Sequence, residues 1–187
     1  MLRKISELDV TILSYINEFS AEKYDAFWMT VTQTSTWIPM FLFFLYVIYS
    51  KYGLKKSAII VISALITVSA IFLFTDAIKE IIMRPRPNNN SEVSQMLRFI
   101  KRPSDYSFFS GHSSNSAALS TLVVFILKHQ VKWAYIFYIW PLMFAFSRLY
   151  IAVHYPSDVL AGLLTGFLFG YIAYRLTYFY FLRDDYA

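Results

Sequence analysis

Apolar residues in this 187-residue chain fall into five long windows separated by short polar segments. The windows lie near residues 27–49, 57–78, 113–127, 133–153 and 159–181. Most of them are about 20 residues long, which is the length that a helix needs to cross the hydrocarbon core of a bilayer. The pattern therefore predicts an all-α fold, a polytopic membrane bundle of five transmembrane helices.

The N-terminal stretch shows a different pattern, with apolar positions that recur at steps of three and four. The apolar stripe consists of Ile5, Leu8, Ile12, Ile16 and Phe19. The opposite face carries Glu7, Asp9, Ser14, Asn17 and Glu18. This arrangement is typical of a helix that lies in the membrane interface, and we predict one within residues 1–24. A sixth span is the less favoured alternative, because acidic side chains are costly in hydrocarbon.

Five spans also predict which loops share a side of the membrane. Loops 79–112 and 147–158 lie on one face, and loops 50–56 and 128–132 lie on the other. The second face carries Lys51, Lys55, Lys56, Lys128 and Lys132. Since positive residues mark the cytoplasmic side, the first face is predicted to be extracytoplasmic, on a cell (inner) membrane. This orientation assumes that the basic residues of loop 79–112 bind a substrate.

The composition supports one membrane domain rather than a soluble protein. Hydrophobic residues make up 57% of the chain, and aromatic residues make up 20%. No linker, internal repeat or low-complexity tract divides the sequence, so we predict a single domain over residues 1–187. The absence of cysteine excludes disulfides and thiolate metal sites. The net charge of +5 suits nucleic acid, an anionic membrane surface or a phosphorylated substrate, and it does not discriminate between them.

Three polar segments adjoin the apolar windows on the predicted extracytoplasmic side. They read KEIIMRPRP (79–87), SFFSGHSS (107–114) and SRLYIAVHYPSD (147–158). Taken singly, each charge has an ordinary explanation, such as a lysine that snorkels at a helix end. Together, Lys79, Arg86 and Arg148 would repel one another at one membrane border unless a multiply charged anion joined them. A phosphate group is the obvious candidate.

The remaining polar residues suit the chemistry of phosphate. Ser110, Gly111 and His112 immediately precede the third window, where the free N–H groups of a helix N-terminus would face an anion. His154 lies four residues before Asp158, close enough for the carboxylate to keep one imidazole nitrogen protonated. The other nitrogen is then free to act as a nucleophile.

In this order, the three segments resemble the three signatures of the type 2 phosphatidic acid phosphatase superfamily. The first matches Lys, six residues, Arg-Pro; the third matches Ser-Arg, five residues, His, three residues, Asp. The second matches Pro-Ser-Gly-His except that Phe109 replaces the proline. We expect this departure to alter loop stiffness or substrate fit rather than abolish activity. Arg84 lies outside the signatures, and we interpret it as a second headgroup contact or a solvated base.

The resemblance implies an integral-membrane lipid phosphatase that needs no metal and no cofactor. It implies that His154 attacks phosphorus and becomes transiently phosphorylated, while Asp158 orients the imidazole. His112 would protonate the departing oxygen and then activate water. The implied ligands of the phosphoryl oxygens are Lys79, Arg86, Ser110, the Gly111 amide and Arg148.

Several functions remain open at this stage. Undecaprenyl diphosphate, phosphatidylglycerol phosphate and phosphatidic acid are the favoured substrates, because a small chain has little obvious equipment for a bulky saccharide; a lipid A phosphatase is the alternative.

A vanadate haloperoxidase would share the site but looks soluble. A haem-carrying or proton-relaying protein could use His112 and His154, and a phosphorylated-lipid binding or transport protein would need no turnover. The expected partners are the lipid substrate and the bilayer, without nucleic acid. The oligomeric state is not indicated.

Overall fold

The computed structural model describes the backbone of residues 2–183 and the side chains of residues 4–183. Every regular element in that range is helical, which confirms the all-α prediction. The main helices are α1 (Leu2–Glu18), α2 (Asp25–Val31), α3 (Ile38–Ile82), α4 (Gly111–Leu127), α5 (Ile139–Tyr150) and α6 (Pro156–Thr177). Of the predicted domain, residues 1 and 184–187 lie outside the described part.

Short helical turns connect or extend the main helices. The 3₁₀ turns are Glu22–Tyr24, Thr34–Trp37, Pro87–Asn89, Val93–Gln95 and Ala134–Tyr138. The last helix continues as a π-helical turn over Tyr178–Leu182. The turns before α3 and α5 explain why these helices begin later than the apolar windows near 27–49 and 133–153. The apolar windows include residues that fold as separate short turns.

Helix α3 contains two of the predicted spans, and they are joined without a loop. Gly53 is the non-helical residue within it, with φ 67° and ψ 178°. This backbone conformation is essentially restricted to glycine, because a Cβ atom would clash with the neighbouring carbonyl groups. The predicted loop 50–56 is thus wrong: the chain changes direction at one residue. Phe44 and Ile48 before the bend and Ile60 after it pack into the same hydrophobic cluster.

The structure agrees only in part with the prediction of five membrane spans. Two helical stretches in the described chain are long and apolar enough to cross a bilayer, one containing α3 and one formed by α6 with its π-helical extension. Helices α4 and α5 have 17 and 12 residues, which is short for a full crossing. The five-span topology and the sidedness derived from it remain predictions.

The centre of the bundle is the contact between α4 and α6. Twelve of the 17 residues in α4 are buried. Gly162, Gly166 and Gly170 repeat every four residues along α6, so they lie on one face of that helix. This face meets the backbone of α4 so closely that a Cβ atom on Gly166 would stand 2.2 Å from the Ser114 carbonyl oxygen. The glycines therefore set the distance between the two helices.

We expect the substitution Gly166→Ala to destabilise the protein by about 1–3 kcal/mol, because the added methyl group overpacks a backbone contact that cannot yield. The midpoint of thermal unfolding in detergent measures the effect. Leu164→Ala is a suitable control, since Leu164 is 72% exposed on the outer face of the same helix. A Gly166→Ala protein as stable as this control would show that the helices are not held at the observed separation.

Helix α1 packs on the protein through a face that the sequence predicted to be solvated. Asp9, Leu13 and Asn17, spaced four residues apart, are all buried. Leu13 contacts a cluster that includes Val93 and Tyr155. Asp9 and Asn17, which the pattern placed on the face opposite the apolar stripe, are buried because both side chains find polar partners inside the protein. Most of the predicted apolar stripe stays exposed, as an interfacial helix requires.

The segment between α3 and α4 is the longest irregular part of the described chain. It begins at Met83, which ends α3 in the left-handed conformation (φ 49°) and donates its N–H to the Lys79 carbonyl. Lys79 is therefore still helical, and the loop runs over 83–110 rather than 79–112. Arg98 anchors the loop with a bidentate ion pair to Asp25 at 2.7 and 2.8 Å. The Asn17 side chain bonds the Arg98 backbone N–H and carbonyl.

Candidate active site

A cavity of about 1150 Å³ opens where the loop meets α3, α4 and α5. One end is polar, and the rest is lined mainly by apolar side chains from α3 and α4. Both Ile60 and Lys79 line it, so the cavity follows roughly 28 Å of α3 at 1.5 Å per residue. A charged group and a long hydrocarbon chain could therefore occupy this single cavity together.

The polar end brings together residues from all three sequence segments. Six of the eight predicted site residues line it: Lys79, Arg86, Gly111, His112, Arg148 and His154. The other two, Ser110 and Asp158, are fully buried behind the cavity wall. The structure thus separates a set of groups that can touch a ligand from a set that supports them.

His154 occupies the centre of this arrangement and is 1% exposed. Its Nε2 atom lies 3.1 Å from Nη1 of Arg86, which also donates to the Val153 carbonyl at 2.7 Å. A guanidinium group can only donate, so Nε2 must be the acceptor and the imidazole proton resides on Nδ1. Nε2 therefore carries the lone pair, which accepts from Arg86 and must be released from that hydrogen bond before it can attack a bound anion.

Asp158 lies behind the other side of the His154 ring. Its Oδ2 atom is 3.7 Å from His154 Nδ1, an ion-pair distance longer than a direct hydrogen bond. Ser107 fills the gap: its hydroxyl donates to Asp158 Oδ2 at 2.5 Å and lies 3.4 Å from Nδ1. The Tyr155 N–H also donates to Oδ2. Sequence reasoning missed Ser107, although it lies three residues before Ser110 in the second segment.

The electrostatic surroundings keep the His154 imidazole neutral. Burial lowers its pKa; Asp158 opposes this effect, while the charges of Arg86 and Arg148 add to it, and the resulting pKa is about 3. The neutral form predominates above that pH, so it is fully populated near pH 7. A neutral imidazole with an unprotonated Nε2 is the form that can act as a nucleophile.

His112 lies in the first turn of α4 and lines the cavity. Its ring packs against Phe144 with 4.9 Å between centroids. No protein group within the described side chains hydrogen-bonds its imidazole, in contrast to His154. The ring nitrogens of His112 are therefore available to a substrate oxygen or to water.

Arg148 comes from the last turn of α5 and is 6% exposed. Its Nη1 donates to the Thr32 hydroxyl at 2.5 Å, and its Nε is buried without a hydrogen-bond partner. Thr32 follows α2 and carries no sequence signal of this role. The guanidinium is thus fixed by one side chain, and it retains donors that no protein carboxylate takes within residues 4–183.

Asp105, which the sequence did not single out, forms ion pairs with the other two cations. Its Oδ2 accepts from Lys79 Nζ at 2.7 Å and from Arg86 Nη2 at 2.8 Å. Partial burial raises the pKa of Asp105, but the hydrogen bonds and charges of Arg86 and Lys79 hold it well below its usual value. The carboxylate therefore occupies the donors that an incoming phosphate would need.

We expect Asp105→Asn to strengthen inhibition by orthovanadate about threefold to tenfold, because two partly exposed ion pairs, each contributing on the order of 0.2–1 kcal/mol, no longer compete with the anion. The inhibition constant measures this effect. Glu92→Gln is the control, since Glu92 is an exposed acid of the same loop that contacts neither cation. Weaker inhibition of Asp105→Asn would show that Asp105 organises the cations for binding rather than competing for them.

Ser110 differs from its predicted role. It is the N-cap of α4, and its hydroxyl accepts from the Ser113 hydroxyl at 2.9 Å and from the Ser113 N–H at 3.4 Å. Its own N–H donates to the Asp158 carbonyl. In this structure it does not line the cavity, and the binding role predicted from the signature would require its hydroxyl to turn. The neighbouring Phe109 is buried against Phe74 of α3, which anchors the loop by packing where the signature has proline.

Arg84 is neither a headgroup contact nor a solvated base, so both sequence interpretations are wrong. Its Nη1 donates to Asp158 Oδ1 at 2.6 Å, and its Nη2 donates to Asp9 Oδ2 at 2.6 Å. The guanidinium also stacks on the Tyr155 ring, 4.1 Å from the centroid. Arg84 lies behind the site and joins it to the N-terminal helix.

The side chains of residues 4–183 do not form a cluster of metal ligands. Within the described side chains, no group of three or more histidine, aspartate or glutamate residues is arranged to hold an ion. The cations that line the cavity are Lys79, Arg86 and Arg148. Fixed positive side chains of this kind can take over the binding of phosphoryl oxygens.

A helical bundle with two histidines and three cations in one cavity is typical of a protein that binds a phosphorylated ligand. Comparison with known proteins identifies the family. The family model of the PAP2 superfamily matches residues 57–181, which is about two thirds of the chain. The chain belongs to this superfamily. The matched segment contains all three signatures, and the resemblance inferred from them is confirmed.

Individual relatives agree with this assignment. The lipid A 4'-phosphatase of Bacteroides thetaiotaomicron is 27% identical and covers 95% of this chain and 82% of its own. The undecaprenyl-diphosphatase of Sulfolobus acidocaldarius is 29% identical over 65% of this chain and 57% of its own. A crystal structure of a transmembrane PAP2-type phosphatidylglycerolphosphate phosphatase from Bacillus subtilis superimposes with a TM-score of 0.73 at 20% identity, over 92% of this chain and 86% of that one. The latter likeness shows a shared fold.

Proposed function

We propose that this protein is a membrane lipid phosphatase that works through a phosphohistidine on His154. The observation that supports the proposal is that one cavity combines a cationic, polar surface with an apolar surface. One end has two histidines and three cations, and the remainder is an apolar cleft along α3. A lipid phosphate has the same two parts, so it can place its phosphoryl group at His154 while its chain stays in the cleft.

In the first step, Nε2 of His154 attacks phosphorus. The new N–P bond forms as the bond between phosphorus and the lipid oxygen breaks, and His112 gives a proton to that oxygen, so that the lipid leaves as an alcohol. Without substrate, burial and the neighbouring cations, above all Arg148, lower the pKa of His112 to about 2. His112 therefore takes up this proton only when the bound phosphoryl anion offsets those cations. A diphosphate substrate would leave as the lipid monophosphate. Lys79, Arg86 and Arg148, with the N–H groups at the start of α4, stabilise the charge on the phosphoryl oxygens.

In the second step, water replaces the lipid. His112, now neutral, accepts a proton from the water molecule as its oxygen attacks phosphorus, and the N–P bond breaks to release inorganic phosphate. Asp158 keeps Nδ1 protonated throughout and offsets the positive charge of the phosphorylated imidazole. No step in this sequence requires a metal ion, and we propose that the enzyme is metal-independent.

Among the candidate substrates, we favour a phosphomonoester of the lipid A type. The relative with that activity aligns with 95% of this chain, whereas the undecaprenyl-diphosphatase aligns with 65%. This choice differs from the expectation drawn from the size of the chain, which favoured an undecaprenyl or phosphatidyl substrate. Undecaprenyl diphosphate is the second candidate. Either lipid places the site on the extracytoplasmic face of the inner membrane in our proposal.

A phosphate-release assay on purified protein in mixed micelles tests the proposal. The panel comprises lipid A, undecaprenyl diphosphate, phosphatidylglycerol phosphate and phosphatidic acid, each with and without EDTA. We expect release from lipid A with the highest kcat/KM, insensitivity to EDTA, and inhibition by vanadate. Release from none of these lipids would contradict the phosphatase. Loss of activity in EDTA that magnesium restores would contradict the metal-free mechanism.

A further inference from the structure

The catalytic carboxylate is held from behind by a chain of alternating charges. Asp158 is 0% exposed, and its Oδ1 accepts from Arg84 at 2.6 Å. The other end of the same guanidinium reaches Asp9 at 2.6 Å. Asp9 is 3% exposed and also accepts from the N–H and the hydroxyl of Ser157, the residue next to Asp158. Two buried carboxylates from distant parts of the chain thus share one cation.

The position of Arg84 excludes the simplest alternative, direct binding of substrate. It does not line the cavity, and both of its terminal nitrogens are taken by carboxylates. One face of its plane lies on the Tyr155 ring. A guanidinium whose terminal nitrogens are held in this way acts on the site through the groups that it touches.

The contact between Arg84 and Asp158 matters because of what else Asp158 does. Its Oδ2 faces Ser107 and His154 Nδ1, and this orientation favours the tautomer with the proton on Nδ1, which the Arg86 contact to Nε2 also requires. Without Arg84, Oδ1 would be a buried anionic oxygen that lacks its charged partner. A carboxylate in that state rotates toward another donor or takes up a proton. Both changes would disturb the nucleophile.

We propose that Arg84 and Asp9 are positioning residues for Asp158, so that helix α1 forms part of the working site. The proposal rests on the phosphatase function proposed above. Arg84 holds the catalytic carboxylate in the orientation that His154 needs, and Asp9 holds Arg84. The N-terminal helix thereby contributes to the chemical step, although it contributes no residue to the cavity.

The test compares kcat and KM for phosphate release in single variants. We expect Arg84→Gln to lower kcat about 10- to 100-fold, the usual effect of removing a group that orients a catalytic residue, with KM changed less than about twofold. Asp9→Asn should have a smaller effect of the same kind, since Arg84 keeps its bond to Asp158. Arg84→Lys should lie between wild type and Arg84→Gln, because an ammonium group can reach only one carboxylate well.

Arg98→Gln is the matched control. Arg98 lies on the same loop and forms a bidentate pair with Asp25, and its backbone is bonded to α1 through Asn17, but it touches no catalytic residue. Its loss should lower the unfolding midpoint while leaving kcat within about twofold of wild type. A kcat loss in Arg98→Gln equal to that in Arg84→Gln would mean that any weakening of this region impairs turnover, and would overturn the proposal.

Double variants separate positioning from general destabilisation. In an Asp158→Asn background, Arg84→Gln should cause less than about a twofold further loss, because its effect passes through the missing carboxylate. Asp9→Asn combined with Arg84→Gln should be no worse than Arg84→Gln alone. Independent, multiplicative losses would contradict the proposal, as would wild-type kcat in a folded Arg84→Gln. If Arg84→Gln does not fold, the kcat values of Arg84→Lys and Asp9→Asn test the proposal instead, and wild-type kcat in both would contradict it. A wild-type protein without any turnover would instead reject the phosphatase function itself.

Discussion

Replacing His154 with alanine is expected to lower the rate of lipid phosphate hydrolysis by at least about 10⁴-fold, as the loss of a covalent nucleophile does in other enzymes. The side chain is enclosed, with Arg86 on Nε2 and Ser107 near Nδ1, so no nearby group can replace it. Steady-state phosphate release measures the loss. The variant should remain folded, because truncation removes a polar group from a polar pocket rather than an element of the hydrophobic core.

The third histidine provides the matched control for this experiment. His129 is exposed beyond the end of α4 and does not line the cavity. His129→Ala should keep wild-type activity, and the size-exclusion profile in detergent should be the same for both variants. Turnover of a well-folded His154→Ala protein within about tenfold of wild type would remove His154 from the chemical step.

Replacing His112 with alanine should have the second largest effect, about 10²- to 10⁴-fold on lipid substrates, which is the usual contribution of a general acid and base. The expected signature depends on the leaving group. With p-nitrophenyl phosphate the departing phenolate needs no proton, so the first step should proceed while the water step stays slow. A rapid-quench experiment should therefore show a burst of about one equivalent of p-nitrophenol, followed by slow turnover.

His154→Ala gives the contrast, because without the nucleophile no burst can occur. If His112→Ala also lacks a burst, its role lies in binding or in holding the cavity rather than in proton transfer. If both variants release p-nitrophenol at the wild-type rate, the aryl ester does not use this site.

The sequence was sufficient to find the histidines and cations that line the cavity and the supporting Asp158, but not Asp105 or the more distant supports. Lys79, Arg86, His112, Arg148 and His154 could be identified because each lies in a short segment with fixed spacing at the border of an apolar window. The other supports lie far away in the sequence: Asp9 is 75 residues from Arg84, which holds Asp158, and Thr32 is 116 residues from Arg148. Contacts of this kind follow from tertiary packing, which leaves no periodic trace in the chain.

The same limit applies to the fold. The apolar windows predicted where the main helices lie, since hydrophobic length is a strong signal. They could not predict that one glycine replaces the loop at 50–56, because a polar run of lysines is compatible with either a loop or an exposed helix. The face of α1 was misjudged for a related reason. Asp9 is polar, and only the position of Arg84 in space makes its burial favourable.

The most direct test of the central claim is the identification of the phosphorylated residue. The protein is mixed with labelled substrate, quenched within milliseconds and digested, and the label is located by mass spectrometry under alkaline conditions that preserve phosphohistidine. We expect the phosphoryl group on the peptide that contains His154, with greater accumulation in His112→Ala and none in His154→Ala. Label on another residue, or hydrolysis without any labelled enzyme in the His112→Ala variant, would contradict the account.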